Sequence, residues 1–146
     1  MILLDVNVLV YAFREGADRH ADYARWLGEA VNDTEPLLLA DPALTGFVRI
    51  VTDPRISKPV SSTASAFGFV RALQAAPPAR SVASTPRSWA IFDELLQSDR
   101  RLRGRAVSDV YLASLASAHG ARLATRDRGF ARFGKQLRWF DPADAG

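Results

Sequence analysis

Apolar positions along the chain switch repeatedly between short unbroken runs and helical spacing. Ile2 to Leu4 form the first run, which predicts a short buried strand turning through Asp5 to Asn7 into a helix that begins with VLVYAF. Tyr23, Trp26, Leu27, Ala30 and Val31 then recur at i, i+3, i+4, i+7 and i+8, the pattern of a helix with one apolar face. PLLLADP predicts a second strand, ended by Asp41 as a helix cap with Pro42 at the first helical position, and a helix runs on through ALTGFVRIV. DPRISKPVS is a loop by its prolines and polar residues. From Ser62 to Ala75 the pattern is helical, with Phe67, Val70 and Leu73 inward, until Pro77 and Pro78 stop it. RSVAS predicts a short strand, and the segment after Pro86 sets Trp89, Phe92, Leu95 and Leu96 on one helical face. Beyond the loop SDRRLRGR, a helix from Ser108 to His119 ends at Gly120, which suits the position just past a helix. ARLAT and QLRWF supply the last two strands. Strands alternate with helices throughout, so the fold class is α/β, with a mostly parallel central sheet flanked by helices.

Composition narrows this picture. With 146 residues of which 48% are hydrophobic, residues 1–146 are expected to form a single domain whose core needs no covalent staples. The absence of cysteine excludes a disulfide framework and thiolate metal sites and fits a cytoplasmic location. No charged leader precedes a long apolar stretch, and no apolar run approaches the ~20 residues of a membrane span, so no membrane association is expected.

Charge is distributed unevenly. The net charge is +3, yet residues 100–138 hold ten Arg and Lys against Asp109 and Asp127, leaving that segment at +8 and the remainder at −5. A polyanionic partner suits this arrangement. Surface cations are also common without any such partner, and 17 arginines against two lysines can reflect genome base composition.

Three aspartates carry the candidate chemistry. Asp5 ends the first strand, Asp109 opens the apolar stretch SDVYLASLA, and Asp127 follows ARLAT in TRDRGF. In a parallel sheet, strand ends and helix starts at the carboxyl edge converge on one crevice, where acids distant in sequence can meet. Two carboxylates about 4 Å apart repel by several kcal/mol at an effective dielectric near 20, a cost that a bound Mg²⁺ or Mn²⁺ removes by taking oxygen ligands. Each residue has a plainer reading: Asp5 or Asn7 as the cap of the first helix, Asp109 as a first-turn anion beside a capping Ser108, and Asp127 as a turn residue. Rival chemistry is poorly supplied. His20 and His119 lack a nearby nucleophile, and no G-x-S-x-G, G-x-x-x-x-G-K-[ST] or G-x-G-x-x-G motif is present.

Taken together, LDVNVLVYAF, SDVYLASLA and LATRDRGFARF resemble the PIN-domain ribonucleases, and in particular the VapC toxins of bacterial toxin–antitoxin pairs. The resemblance spans essentially the whole chain. It implies a PIN-like fold, a Mg²⁺- or Mn²⁺-dependent endoribonuclease, a homodimer, and inhibition by a VapB-like antitoxin. Asp5, Asp109 and Asp127 match three of the family's four usual acids, as catalytic and metal-holding residues. The fourth, a glutamate three residues before the arginine of the third helix, is here Gly46, and Asp41 lies five residues upstream, about 140° around the helix. Arg100, Arg101, Arg103 and Arg105, with Arg55 and Lys58, are the expected contacts to the RNA backbone. Two other readings stand beside this one. A PIN-like module without the fourth acid could bind RNA or a partner and cleave weakly or not at all, and D-V-N-V-L superficially resembles the start of haloacid-dehalogenase-like phosphatases, against which Asn7 counts.

Overall fold

A computed structural model describes residues 1–145. Five strands, β1 (Ile2–Leu4), β2 (Leu37–Ala40), β3 (Ala79–Val82), β4 (Arg122–Ala124) and β5 (Trp139–Phe140), form one sheet in the order β3-β2-β1-β4-β5. Every pairing is parallel. The helices are α1 (Val6–Phe13), α2 (His20–Ala30), α3 (Asp41–Thr52), α4 (Thr63–Gln74), α5 (Pro86–Ser98) and α6 (Ala106–Ala118), followed by 3₁₀ segments at Arg128–Gln136 and Pro142–Asp144. Among the described residues, no helix is long and apolar enough to cross a membrane.

The unbroken apolar runs mark β1 and β2 as strands covered on both faces, as parallel sheets require. Successive side chains point to opposite faces, and two cores result. Ile2, Leu4, Leu37 and Leu39 pack against residues of α1 to α4. Leu3, Leu38 and Leu123 pack against α5, α6 and the first 3₁₀ segment. The chain leaves β1 toward β2 and β3 on one side and returns to β4 and β5 on the other. The sheet order therefore reverses at β1, and the crevice of such a sheet opens at the carboxyl ends of the strands flanking that reversal.

Local boundaries differ from the sequence pattern in physically simple ways. α1 starts at Val6, ahead of VLVYAF, because Asp5 itself caps it, its side chain accepting from the Val6 N–H. Asp41 is the first residue of α3 and Ala40 its cap. Ser108 lies inside α6, which begins at Ala106 after an Arg105 cap without a side-chain bond. In α4 the inward stripe is Ala66, Val70 and Leu73, while Phe67 is 53% exposed. Trp89, expected on the buried face of α5, is 52% exposed. Gly120 takes φ +64°, the left-handed conformation anticipated for the end of α6.

Candidate active site

The carboxyl edge of β1 and β4 builds the site. Their register pairs Leu4 with Ala124, so Asp5 and Thr125 emerge side by side, and the Asp5 N–H donates to the Ala124 carbonyl at 3.1 Å. Asp5 Oδ1 accepts from the Val6 N–H at 2.7 Å, while Oδ2 accepts from Thr125 Oγ1 at 2.7 Å and Asn7 Nδ2 at 2.8 Å. Capping and crevice position are thus combined in one carboxylate. Asn7 does not cap. Its Nδ2 also donates to Thr125 Oγ1, and its Oδ1 accepts from the Arg126 N–H at 3.0 Å. Thr125 Oγ1 accepts in turn from the Asp127 N–H at 3.0 Å. Two strand ends distant in sequence are so tied by a network that satisfies each buried polar atom.

Asp5 faces a cavity of about 470 Å³, lined also by Gly46 and Arg49 of α3, Trp89 and Phe92 of α5, and Asp109 and Tyr111 of α6. Asp5 is only 4% exposed. Burial pushes its carboxyl above the usual range, the Thr125 and Val6 hydrogen bonds pull it back, and the charges of Asp109 and Asp127 push it further up. Asp109 is raised too, chiefly by burial, against the opposing pull of its ion pair with Arg132 and with a further push from Asp127. Asp127 caps the first 3₁₀ segment, its Oδ1 accepting from the Gly129 N–H at 2.7 Å. A Cβ at position 129 would stand 2.9 Å from Asp127 Oδ1, so a side chain there would displace the Asp127 carboxylate. Asp127 is exposed and does not line the cavity, but its charge reaches both other acids.

The basic residues separate into two groups. Arg101 pairs with Asp99, Arg122 with Glu35, Arg126 with Asp18, Arg128 with Asp144, and Arg132 with Asp109. Among the described residues, Arg100, Arg103 and Arg105 have no carboxylate partner; all three are exposed on the loop that leads into α6 and Asp109. Arg55, paired with Asp53, and Lys58 follow the end of α3. The Lys58 carbonyl accepts from Arg14, which closes α1 at the end opposite Asp5. Arg55 and Lys58 therefore lie beyond the C-terminal end of α3, with Lys58 tied to the residue that follows α1, whereas Asp5 caps the opposite end of α1. His20 and His119 each direct Nδ1 to a backbone carbonyl, of Tyr11 and Leu115.

The sequence pattern does not point to Thr125, Arg132 or Trp89 at the site: Thr125 reaches Asp5 through the β1–β4 register, Arg132 is one cation among many until it pairs with Asp109, and Trp89 fits the apolar stripe of α5 yet lines the cavity.

The family model described as PIN domain matches residues 2–136. The chain is 43% identical to Ribonuclease VapC43 of Mycobacterium tuberculosis, over 99% of this chain and 97% of that protein. It is 33% identical to Ribonuclease VapC33 of the same species, over 97% and 98%. The chain belongs to the VapC ribonucleases of the PIN domain family. Its fold superimposes on VapBC2 from Rickettsia felis, solved bound to a DNA fragment from their promoter, with a TM-score of 0.70 at 18% identity, covering 97% of this chain and 98% of that one.

The donor set of this VapC chain suits a hard divalent cation. All three acids offer oxygen, the ligand type of Mg²⁺ and Mn²⁺. Asp5 Oδ2 already takes two donors, but Oδ1 takes one and keeps a lone pair. Asp109 Oδ1 and Asp127 Oδ2 accept no hydrogen bond among the described residues. Among the described residues no three His, Cys, Asp or Glu side chains stand close enough together to hold a metal ion, so a cation here would be held by Asp5 and Asp109 at the cavity and would take most of its shell from water, as Mg²⁺ commonly does. Gly46 lies on the cavity wall with Asp5 and Asp109. The position at which the resemblance implies the fourth acid therefore falls at the pocket itself.

Proposed function

We propose that this chain is the toxin of a VapBC-type toxin–antitoxin pair, an endoribonuclease that hydrolyses RNA phosphodiester bonds at the pocket of Asp5 and Asp109. The observation that carries the reading is that these two acids, from opposite ends of the chain, line one cavity at the sheet's carboxyl edge and are both raised above the usual carboxylate range. Carboxyl groups raised chiefly by burial within a cleft are concentrated at functional sites. Asp5 and Asp109, with the charge of Asp127 reaching both, would hold Mg²⁺ or Mn²⁺, which when bound lowers the pKa of a water and neutralises phosphate charge during in-line attack.

The chain's own residues prepare that chemistry. Thr125 and Asn7 fix the Asp5 carboxylate through Oδ2 and leave Oδ1 toward further ligands. Arg132 balances the charge of Asp109. Arg100, Arg103 and Arg105 would engage the RNA backbone beside the pocket, Arg101 would join them by leaving Asp99, and Arg55 and Lys58 would contact only a strand long enough to pass the end of α1. Solved VapBC structures among the structural neighbours support a VapB-like antitoxin as partner, and the family resemblance supports a homodimer.

The phosphatase reading is weaker because Asn7, where that chemistry wants an acid, is committed to the Asp5–Thr125–Arg126 network. The test of the main reading is Asp109→Asn, assayed for Mn²⁺-dependent cleavage of single-stranded RNA. Activity should fall at least a hundredfold in a protein with unchanged circular dichroism. A folded Asp109→Asn protein that cuts RNA at the wild-type rate would remove this pocket as the active site.

A further inference from the structure

An exposed tryptophan lines the same cavity as the buried Asp5 and the half-buried Asp109. Trp89 sits in the first turn of α5, and half of its area is open to solvent. The turn that carries it is rigid. Pro86 occupies the start of the helix, the Thr85 side chain accepts from the Ser88 N–H at 3.1 Å, and Ser88 Oγ accepts from the Thr85 N–H at 2.8 Å. Ser88 itself is buried. Phe92 meets the indole edge-on at 5.2 Å between centroids, and Tyr111, two residues beyond Asp109 on α6, stands at 6.2 Å. The ring is thus fixed in place and still half uncovered.

The indole lines the same cavity as Asp5, Asp109 and Arg49. With a volume of about 470 Å³, that cavity lies within the roughly 300–1,000 Å³ typical of small-ligand sites. A scissile phosphate brought to the acids leaves its own nucleoside inside this space. Unpaired RNA bases are held by aromatic side chains on which they stack, largely without regard to sequence. Arg49, together with a cation held by the acids, would suit the phosphate, and the aromatic side chains would suit a base.

We propose that Trp89, backed by Phe92 and Tyr111, is the stacking platform for an unpaired base next to the scissile phosphate. The inference rests on the pocket of Asp5 and Asp109 being the active site. Trp89 is a substrate-positioning residue in this scheme and makes no contact with the reacting atoms.

The experiment compares two ligands of equal backbone charge, fluorescein-labelled octa-adenylate and the corresponding abasic ribose-phosphate chain, by fluorescence anisotropy. All proteins carry Asp109→Asn so that the RNA stays intact. Trp89→Ala should bind octa-adenylate about 5- to 150-fold more weakly, the range that loss of one base–aromatic stack spans. Trp89→Phe should retain most of the affinity, and all three proteins should bind the abasic chain equally. Unchanged octa-adenylate binding by Trp89→Ala, or an equal loss for both ligands, overturns the proposal. So does a Trp89→Ala protein that changes its oligomeric state in sedimentation while keeping its base-dependent affinity, because Trp89 then belongs to a protein interface. Failure of the pocket assignment is read separately, from cleavage by Asp109→Asn alone.

Discussion

Single residues at the carboxyl edge perform two tasks each. Asp5 caps α1 with one oxygen and is clamped by Thr125 and Asn7 through the other, so its orientation costs no further ordering when a ligand arrives. Thr125, fully buried, both donates to Asp5 and accepts from the Asp127 N–H. Gly46 is where this chain departs from the family pattern it resembles, and its surroundings decide what a side chain would do there. A Cβ at position 46 would meet only Val6 Cγ2, at an ordinary 3.5 Å. Replacing glycine inside a helix gains up to about 1 kcal/mol in intrinsic preference. Gly46→Glu should therefore be accommodated without a steric clash and bring a further carboxylate to the wall shared by Asp5 and Asp109, its helix-preference gain offset in the metal-free protein by the added negative charge. Mn²⁺ titrated into the two proteins by calorimetry should bind the variant several-fold more tightly. Equal affinity in a stably folded variant would mean that the new carboxylate does not reach the ion.

At the scale of elements, the loop from Asp99 to Arg105 and the start of α6 form one unit. Asp99 holds Arg101 through a two-pronged pair, at 3.0 and 2.9 Å, and its backbone turn directs the chain into the helix that carries Asp109. Arg100, Arg103 and Arg105 remain as exposed cations, unpaired with any acid among the described residues. On a single strand, each lost phosphate contact reduces the slope of log affinity against log salt by about 0.7. Changing all three to glutamine should lower that slope by about 2 while leaving the melting temperature within a degree or two, since exposed charges contribute little to stability. An unchanged slope would assign the loop to another surface. The paired arginines, Arg122, Arg126, Arg128 and Arg132, make a different point about the same charge-rich segment. Their ion pairs with Glu35, Asp18, Asp144 and Asp109 commit much of the apparent excess to holding elements together.

Across the whole molecule, acids with raised and lowered pKa values oppose each other in the response to pH. Glu35, Asp53, Asp99 and Asp144 are lowered, each chiefly by a hydrogen bond from a cationic partner, so their contribution is present above the unfolded value and is lost as pH falls. Asp5 and Asp109 are raised, so their contribution is full below the unfolded value near 3.8 and is lost as pH rises through the raised folded values. At neutral pH the ionised pair is a destabilising feature of the metal-free protein. Asp109→Asn should consequently melt higher than wild type at pH 7 in EDTA, and the difference should vanish near pH 3, where both side chains are uncharged. A variant less stable than wild type at pH 7 would show that the Arg132 ion pair outweighs burial. The order of elements, the parallel sheet and the acids Asp5 and Asp127 just past strand ends were legible in the sequence, because unbroken apolar runs report two-sided burial and an aspartate after such a run marks where the strand stops. Local pattern could not decide which amphipathic positions meet a neighbour: Phe67 and Ala66 both fit the α4 stripe, and only the packing of α4 turned Phe67 outward. It also left Trp89 open beside the acids instead of in the core. The joining of Asp5 to Thr125, and of Asp109 to Arg132, depended on the tertiary structure alone. Strand register and helix placement are set by the sum of burial over the whole sheet, and no window of sequence contains that sum.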